Sequence, residues 1–300
     1  MKPGLATLLV LLSLPTVTTR AQPESAEGTP ISDDELRIKG VFESSLPGTE
    51  RKHALKLTFR PRVGDFTRYD HMRVPLGLRY GLSERWEISG EIEGYFSHGL
   101  GDRPLFEDIG LLQWSLGTKY NWGTALWPGW EIATGLEYSM PLGSPPIEIT
   151  DGLEHYAPFV TFAHRLDRLP GVRVFWGVSA DLVTATGIAG RLKDNQLGDD
   201  SLKLSGGFVW DHGDFSYTLE GSVASTRLWG QLDRDVYTLQ PGVIWRVPRR
   251  FTPGSRGQWL LGVGLRSSHG PDGFDYGGSA KLRVNFDFKR WWRRVTGAER

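Results

Sequence analysis

Hydrophobic and polar residues alternate along most of this chain with a period of two, the spacing of strands that have one apolar and one wet face. Trp86–Phe96 (WEISGEIEGYF) is the clearest case. Trp86, Ile88, Gly90, Ile92, Gly94 and Phe96 share one face, and Glu87, Ser89, Glu91, Glu93 and Tyr95 share the other. The span 274–288 repeats the pattern: Phe274, Tyr276, Gly278, Ala280, Leu282, Val284, Phe286 and Phe288 alternate with Asp275, Gly277, Ser279, Lys281, Arg283, Asn285 and Asp287. Leu55, Leu57 and Phe59 alternate with Lys56, Thr58 and Arg60, while Met72, Val74, Leu76, Leu78 and Tyr80 alternate with Arg73, Gly77 and Arg79. Trp130, Ile132, Thr134, Leu136 and Tyr138 do so with Glu131, Gly135 and Glu137. No long segment carries helical periodicity.

The pattern predicts twelve strands, near 53–61, 71–81, 85–97, 109–121, 129–140, 154–165, 171–184, 201–211, 214–226, 235–247, 258–268 and 274–288. Residues 36–43 (LRIKGVFE) are a candidate thirteenth. Strands in soluble sandwiches run about 5–6 residues, whereas a tilted crossing of a bilayer takes about 9–11. These segments are of the longer kind. Their links alternate between short ones (Gly81–Glu84, Leu166–Pro170, Asp211–Asp214) and longer ones at 98–108, 141–153 and 185–200. Asn121–Pro128, Pro248–Gly257 and the brief 269–273 depart from that rhythm. The expected fold is all-β: a transmembrane antiparallel up-and-down β-barrel over residues 52–288, with both termini on the short-turn side.

Composition narrows the setting. Among 300 residues, 35 Lys and Arg cancel 35 Asp and Glu, so no basic field recruits nucleic acid. The chain has no cysteine, which removes disulfides, thiolate chemistry and lipoprotein acylation and suits an oxidising compartment. Lys2, the apolar run Leu5–Leu14, Pro15 and the stretch ending Thr19-Arg20-Ala21 have the layout of a secretory signal cleaved near Ala21. Residues 22–51 read as a disordered or irregular lead-in. At the other end 289–300 form a basic, aromatic tail (KRWWRRVTGAER begins at Lys289), expected on the periplasmic side.

Aromatic and glycine placement fit the same picture. Trp86, Phe96, Trp114, Tyr120, Trp130, Tyr138, Trp176, Trp210, Trp245, Trp259 and Phe288 fall toward strand ends or on the apolar face, as girdles at two membrane interfaces require. Glycine is in excess at 38 residues, with many inside strands, where a closed, tilted sheet must bend.

The run Arg73–Asp102 (RVPLGLRYGLSERWEISGEIEGYFSHGLGD) resembles a barrel hairpin of the outer-membrane family named after the MetA pathway of phenol degradation, described more loosely as putative transporters. Asp108–Tyr120 (DIGLLQWSLGTKY) is similar to that family's next strand. The resemblance implies an outer-membrane barrel, outer-membrane lipid and the barrel assembly machinery as partners, and a small solute, aromatic or hydrophobic among the candidates, as cargo. It is structural rather than chemical, and the tail after Phe288 departs from the usual barrel ending on an aromatic.

Catalytic chemistry is sparse. The seven histidines lack metal-binding spacing, and Ser97-His98 is an adjacent Ser–His pair on positions that point to opposite faces of a strand. Asp194, Asp199 and Asp200 read as a solvated acidic loop. No cofactor and no enzyme activity are expected. The charges on the wet faces supply the functional expectation: Lys56, Arg60, Arg73, Arg79, Lys281 and Arg283 beside Glu87, Glu91 and Glu93 would line a narrow lumen with opposed bands that filter solutes. A barrel enzyme acting on lipid and a non-conducting structural barrel are the alternatives.

Overall fold

The computed structural model describes residues 40–63, 71–100, 103–143, 150, 152–185, 200–226, 235–248, 251, 258–270 and 273–287. The expected signal segment and its cleavage point, Phe288, and the 289–300 tail lie outside the described residues.

Strands run at Ala54–Phe59 (β1), Arg62–Val63 (β2), His71–Gly81 (β3), Trp86–Ser97 (β4), Ile109–Gly123 (β5), Trp130–Pro141 (β6) and Leu153–Arg165 (β7). They continue at Val172–Ala185 (β8), Ser201–His212 (β9), Phe215–Ser225 (β10), Val236–Val247 (β11), Gln258–Gly270 (β12) and Gly273–Asp287 (β13). From β3 to β13 each pairs antiparallel with the next in chain order, and the sheet closes because β1 and β2 both pair antiparallel with β13 and with β3.

β1 and β2 are one stave interrupted by a proline. The register Phe59↔Leu76 continues as Arg62↔Arg73, and Phe59↔Leu282 continues as Val63↔Gly278. Pro61 has no N–H to give the ladder. Its carbonyl still accepts from the Ala280 amide at 3.0 Å, while the Arg60 amide donates to the Pro75 carbonyl at 3.1 Å. The barrel therefore has twelve staves. β5 carries two irregularities, at Glu93/Gly94 against β4 and at Asn121/Gly123 against β6; the second carries β5 two residues beyond the expected Asn121.

Burial is inverted relative to a water-soluble protein. Leu265 is 71 % exposed and Val263 65 %, whereas Glu93 is 1 % exposed and Lys56 1 %. Apolar side chains cover the outside, and the charged positions of the alternating pattern turn inward. A continuous apolar outer wall of this kind is stable only against an apolar solvent.

The described part of the candidate thirteenth strand, residues 40–43, joins no sheet. Within 36–43 the described residues begin at Gly40, which makes an isolated bridge to Ser45 rather than joining the sheet. The reason is that wall side chains take the hydrogen bonds a strand partner would otherwise take. Residues 40–50 run irregularly through the interior and reach β1 by a sharp reversal. There the His53 amide donates to the Gly81 carbonyl at 2.8 Å with His53 at φ 66. Gly81 is required at that crossing, because a Cβ on it would come 2.6 Å from the Arg51 carbonyl carbon.

Candidate functional site

The lumen is occupied by the chain's own segment 40–50, with a charged wall around it. Val41, Phe42 and Leu46 are almost fully buried and cluster with Ala163, Phe175, Val209, Ile244 and Leu260, the inward apolar residues of the wall. The Phe42 ring lies where β11 and β12 have glycines. A Cβ on Gly242 would sit 2.9 Å from Phe42 Cδ2, and one on Gly262 3.2 Å from its Cζ. Absence of side chains at these two positions makes the berth for the ring.

The segment's backbone is held by charges of both signs. Glu220 on β10 accepts three successive amides: Phe42 at 2.7 Å, Glu43 at 3.1 Å and Ser44 at 2.8 Å. Glu87 on β4 accepts the Glu50 amide at 2.8 Å. From the basic side, Arg60 donates to the Phe42 carbonyl at 2.8 Å, Arg283 to the Gly40 carbonyl at 3.1 Å, and Lys281 to the Val41 carbonyl. Lys119 on β5 donates to the carbonyls of Leu46 at 3.1 Å and Gly48 at 2.7 Å, and Thr161 to that of Ser45 at 2.8 Å. Charge-assisted bonds to backbone dipoles are the stronger kind, and here they stand in for a strand ladder.

The remaining wall charges are tied to one another. Arg60 lies 3.4 Å from Glu91, Arg79 3.5 Å from Glu87, Lys119 3.6 Å from Glu87 and Arg62 3.8 Å from Glu93. Lys56 pairs with Glu50 of the inner segment, and Gln113 donates to Glu93 at 2.8 Å. Arg73 shares the inward parity of β3 and stands opposite Arg62 in register. Arg60 between β1 and β2, Arg62 on β2, Arg79 on β3 and Lys119 on β5 thus interlock with the β4 glutamates across strand boundaries.

Glu43, in the inner segment rather than in a spanning strand, lies 3.5 Å from Arg62. Burial alone would raise its carboxyl, but Arg62 and Arg60, helped by Lys203 and Arg266, hold it down at about 2. A depressed carboxylate stabilises the folded form above its ordinary value of 4.5 and loses that contribution as pH falls toward about 2. The gap in thermal unfolding midpoint between the wild type and Glu43→Gln is therefore expected to stay constant above pH 5. It should close on acidification, as followed by the gel shift of heated against unheated protein.

Two cavities flank the segment, of about 180 Å³ and about 270 Å³. Glu43, Ser44, Ser45, Arg79, Ser89 and Glu137 line both. The larger also touches Arg60, Arg62, Glu91, Lys281 and Arg283.

Of the nine charged residues singled out in the sequence, all lie on the inward parity of their strands. Sequence reasoning missed Lys119, Glu220, Arg62 and Thr161, which share in holding the inner segment, and Glu43 within it. Lys119 stands directly opposite Glu87 in register, and Glu220 continues the inward series Ser216, Thr218. Extending the alternation through β5 and β10 would have found both.

The aromatics gather at both ends of the barrel. At the short-turn end Trp86 meets Tyr120 at 6.4 Å, Trp130 meets Trp176 at 6.5 Å and stacks on His164 at 5.0 Å, and Trp210 meets Tyr217 at 5.5 Å. Phe215 stacks on Trp245 at 6.4 Å, and Trp259 stands between Val247 and Val284 in register. At the long-loop end Phe96 meets Phe106 at 4.8 Å, and Trp114 meets Tyr138 at 5.5 Å.

Ser97 and His98 do not act as a pair. The Ser97 hydroxyl donates to the Pro104 carbonyl at 2.7 Å and accepts the Asp108 amide at 3.2 Å, clipping the β4–β5 loop. His98 Nδ1 accepts the Leu100 amide at 3.0 Å. Asp194 and Asp199 lie outside the described residues, and Asp200 accepts the Val183 amide at 2.9 Å. No three potential ligands gather as a metal site among the described residues.

No known family model and no curated protein sequence matches the chain. Among solved structures, a KdgM porin in complex with disordered oligogalacturonate superposes with a TM-score of 0.50 at 8% identity, covering 77% of this chain and 99% of that one. A NanC porin does so at 0.47 and 13% identity, covering 77% and 98%. Identity this low speaks to the fold alone, and the fold is a closed, twelve-stave antiparallel barrel of the kind found in outer-membrane porins.

Proposed function

We propose that this chain is an outer-membrane channel for passive movement of small solutes, inserted after removal of a signal segment near Ala21. The observation that carries the reading is the inverted burial: a closed barrel with leucine and valine outside and paired lysine, arginine and glutamate inside. Outer-membrane lipid is the partner of the apolar wall, the aromatic clusters meet the headgroups at the two interfaces, and insertion calls on the barrel assembly machinery. The resemblance of Arg73–Asp102 to the phenol-degradation barrel family supports aromatic or otherwise hydrophobic small molecules as cargo. The opposed wall charges act as the filter.

Glu91 tests the filter most cleanly, since it lines the larger cavity, pairs with Arg60 at 3.4 Å, and among the described residues makes no bond to the inner segment. Glu91→Gln in a planar bilayer is expected to raise the chloride-to-potassium permeability ratio by roughly twofold, or about 0.4 kcal/mol of preference. An unchanged reversal potential in a conducting protein removes the wall charges as the selectivity element. Cargo class is read from liposome uptake of phenol, a medium-chain fatty acid and a monosaccharide, with the first expected to enter fastest.

A further inference from the structure

We propose that residues 40–50 are a displaceable plug latched by Glu220, and that its withdrawal uncovers a carboxylate-binding site made by Arg60, Lys281 and Arg283. This rests on the channel reading above and deepens it by naming a gate and a ligand class.

The three cations hold three successive plug carbonyls, those of Gly40, Val41 and Phe42. Among the described residues, neither Lys281 nor Arg283 has an acid within ion-pair distance, although both are almost fully buried. Buried cations ordinarily have anionic counter-charges. Here neutral carbonyl dipoles occupy the place of one. A guanidinium fork matches a carboxylate in a bidentate manner that a backbone carbonyl cannot supply. The adjoining cavity of about 270 Å³ gives a small organic acid room beside them. An organic anion therefore competes with the plug for the same donors, and a solute that binds the open form better than the closed shifts the population toward opening.

The latch is equally specific. Glu220 accepts three consecutive plug amides. Phe42 adds an apolar hold in the berth over Gly242 and Gly262, and Lys119, Thr161 and Glu87 hold the segment further along. Withdrawing the segment uncovers Val41, Phe42 and Leu46 and returns the charged wall to water, but it breaks no strand ladder of the closed sheet.

The test uses the complete mature chain in planar bilayers, with the heated-against-unheated gel shift confirming folded protein in each case. Because the chain has no cysteine, Phe42→Cys with Gly242→Cys gives one disulfide tying plug to wall. The oxidised pair is expected to conduct at least roughly tenfold less than the same molecules after reductant, a change worth ~1.4 kcal/mol. Glu220→Gln is expected to raise the open fraction over wild type. In that variant sodium benzoate, but not phenol, should block chloride current, and adding Lys281→Gln and Arg283→Gln should abolish the block while current persists. Equal conductance of oxidised and reduced pairs overturns the plug. A benzoate block that survives loss of both cations overturns the site. Each leaves a working channel, whereas no current in any folded form, including the reduced pair, overturns the channel reading and the plug together.

Discussion

Leu116→Arg is expected to destabilise the barrel in a bilayer by about 2–4 kcal/mol, the cost of a cation near the midplane of a lipid-facing wall. Leu116 sits halfway along β5 and is 54 % exposed. On a water-soluble protein the same exchange at an exposed site would move stability by no more than about 0.5 kcal/mol. Urea unfolding of protein refolded into phospholipid vesicles separates the two outcomes directly. A midpoint that does not move would mean that the apolar outer wall does not face hydrocarbon. Leu265→Arg on β12, across the barrel wall from the charged interior, should behave alike.

The second large effect is expected inside. Lys119 makes contacts to Glu87 and to two carbonyls of the inner segment, and is 4 % exposed. Lys119→Met leaves Glu87 with Arg79 as its remaining cation and strands the Leu46 and Gly48 carbonyls. Loss of one partner from a buried pair costs about 3–5 kcal/mol; Arg79 and water entering the neighbouring cavity hold the figure near ~3 kcal/mol. The same vesicle unfolding assay reads it. Glu87→Gln in the Lys119→Met background should recover part of the loss, because the uncompensated carboxylate is then gone. Failure of that recovery would mean the carbonyl contacts, not the ion pair, carry the stability.

The barrel wall was legible in the sequence because a period of two survives from one end of a strand to the other. Each strand of 11–15 residues from β3 to β13 announces itself by that pattern, and the apolar wall reads out as every second residue. Pro61 shows the reach and the limit of such reading: parity runs unbroken across it, yet only the register of both neighbours shows that β1 and β2 are a single stave. The inner segment was not legible. Its residues satisfy their backbone through side chains from 18 to 243 positions away, as Phe42 does through Arg60 and Glu220, and no local periodicity encodes partners at such distances. Polar composition and the Pro47-Gly48 dipeptide make residues 40–50 look like an unstructured leader, although Val41, Phe42 and Leu46 are the anchors of the interior cluster. The wall charges were visible individually. That two of them face carbonyls rather than acids was not, because alternation states which way a side chain points and not what meets it.

The stave that carries Lys281 and Arg283 is also the one that β1 joins to close the sheet. Residues 40–50 are made some 240 residues before two of their cationic holders, Lys281 and Arg283. Lys119, Thr161 and Glu220 stand on intermediate staves, and the receptor for this stretch is completed when the first and final staves meet and Lys281 and Arg283 reach the Val41 and Gly40 carbonyls. A chain stalled before that meeting would present both an open sheet edge and an unhoused Phe42, two surfaces that a quality-control protease could read before any completed barrel exists.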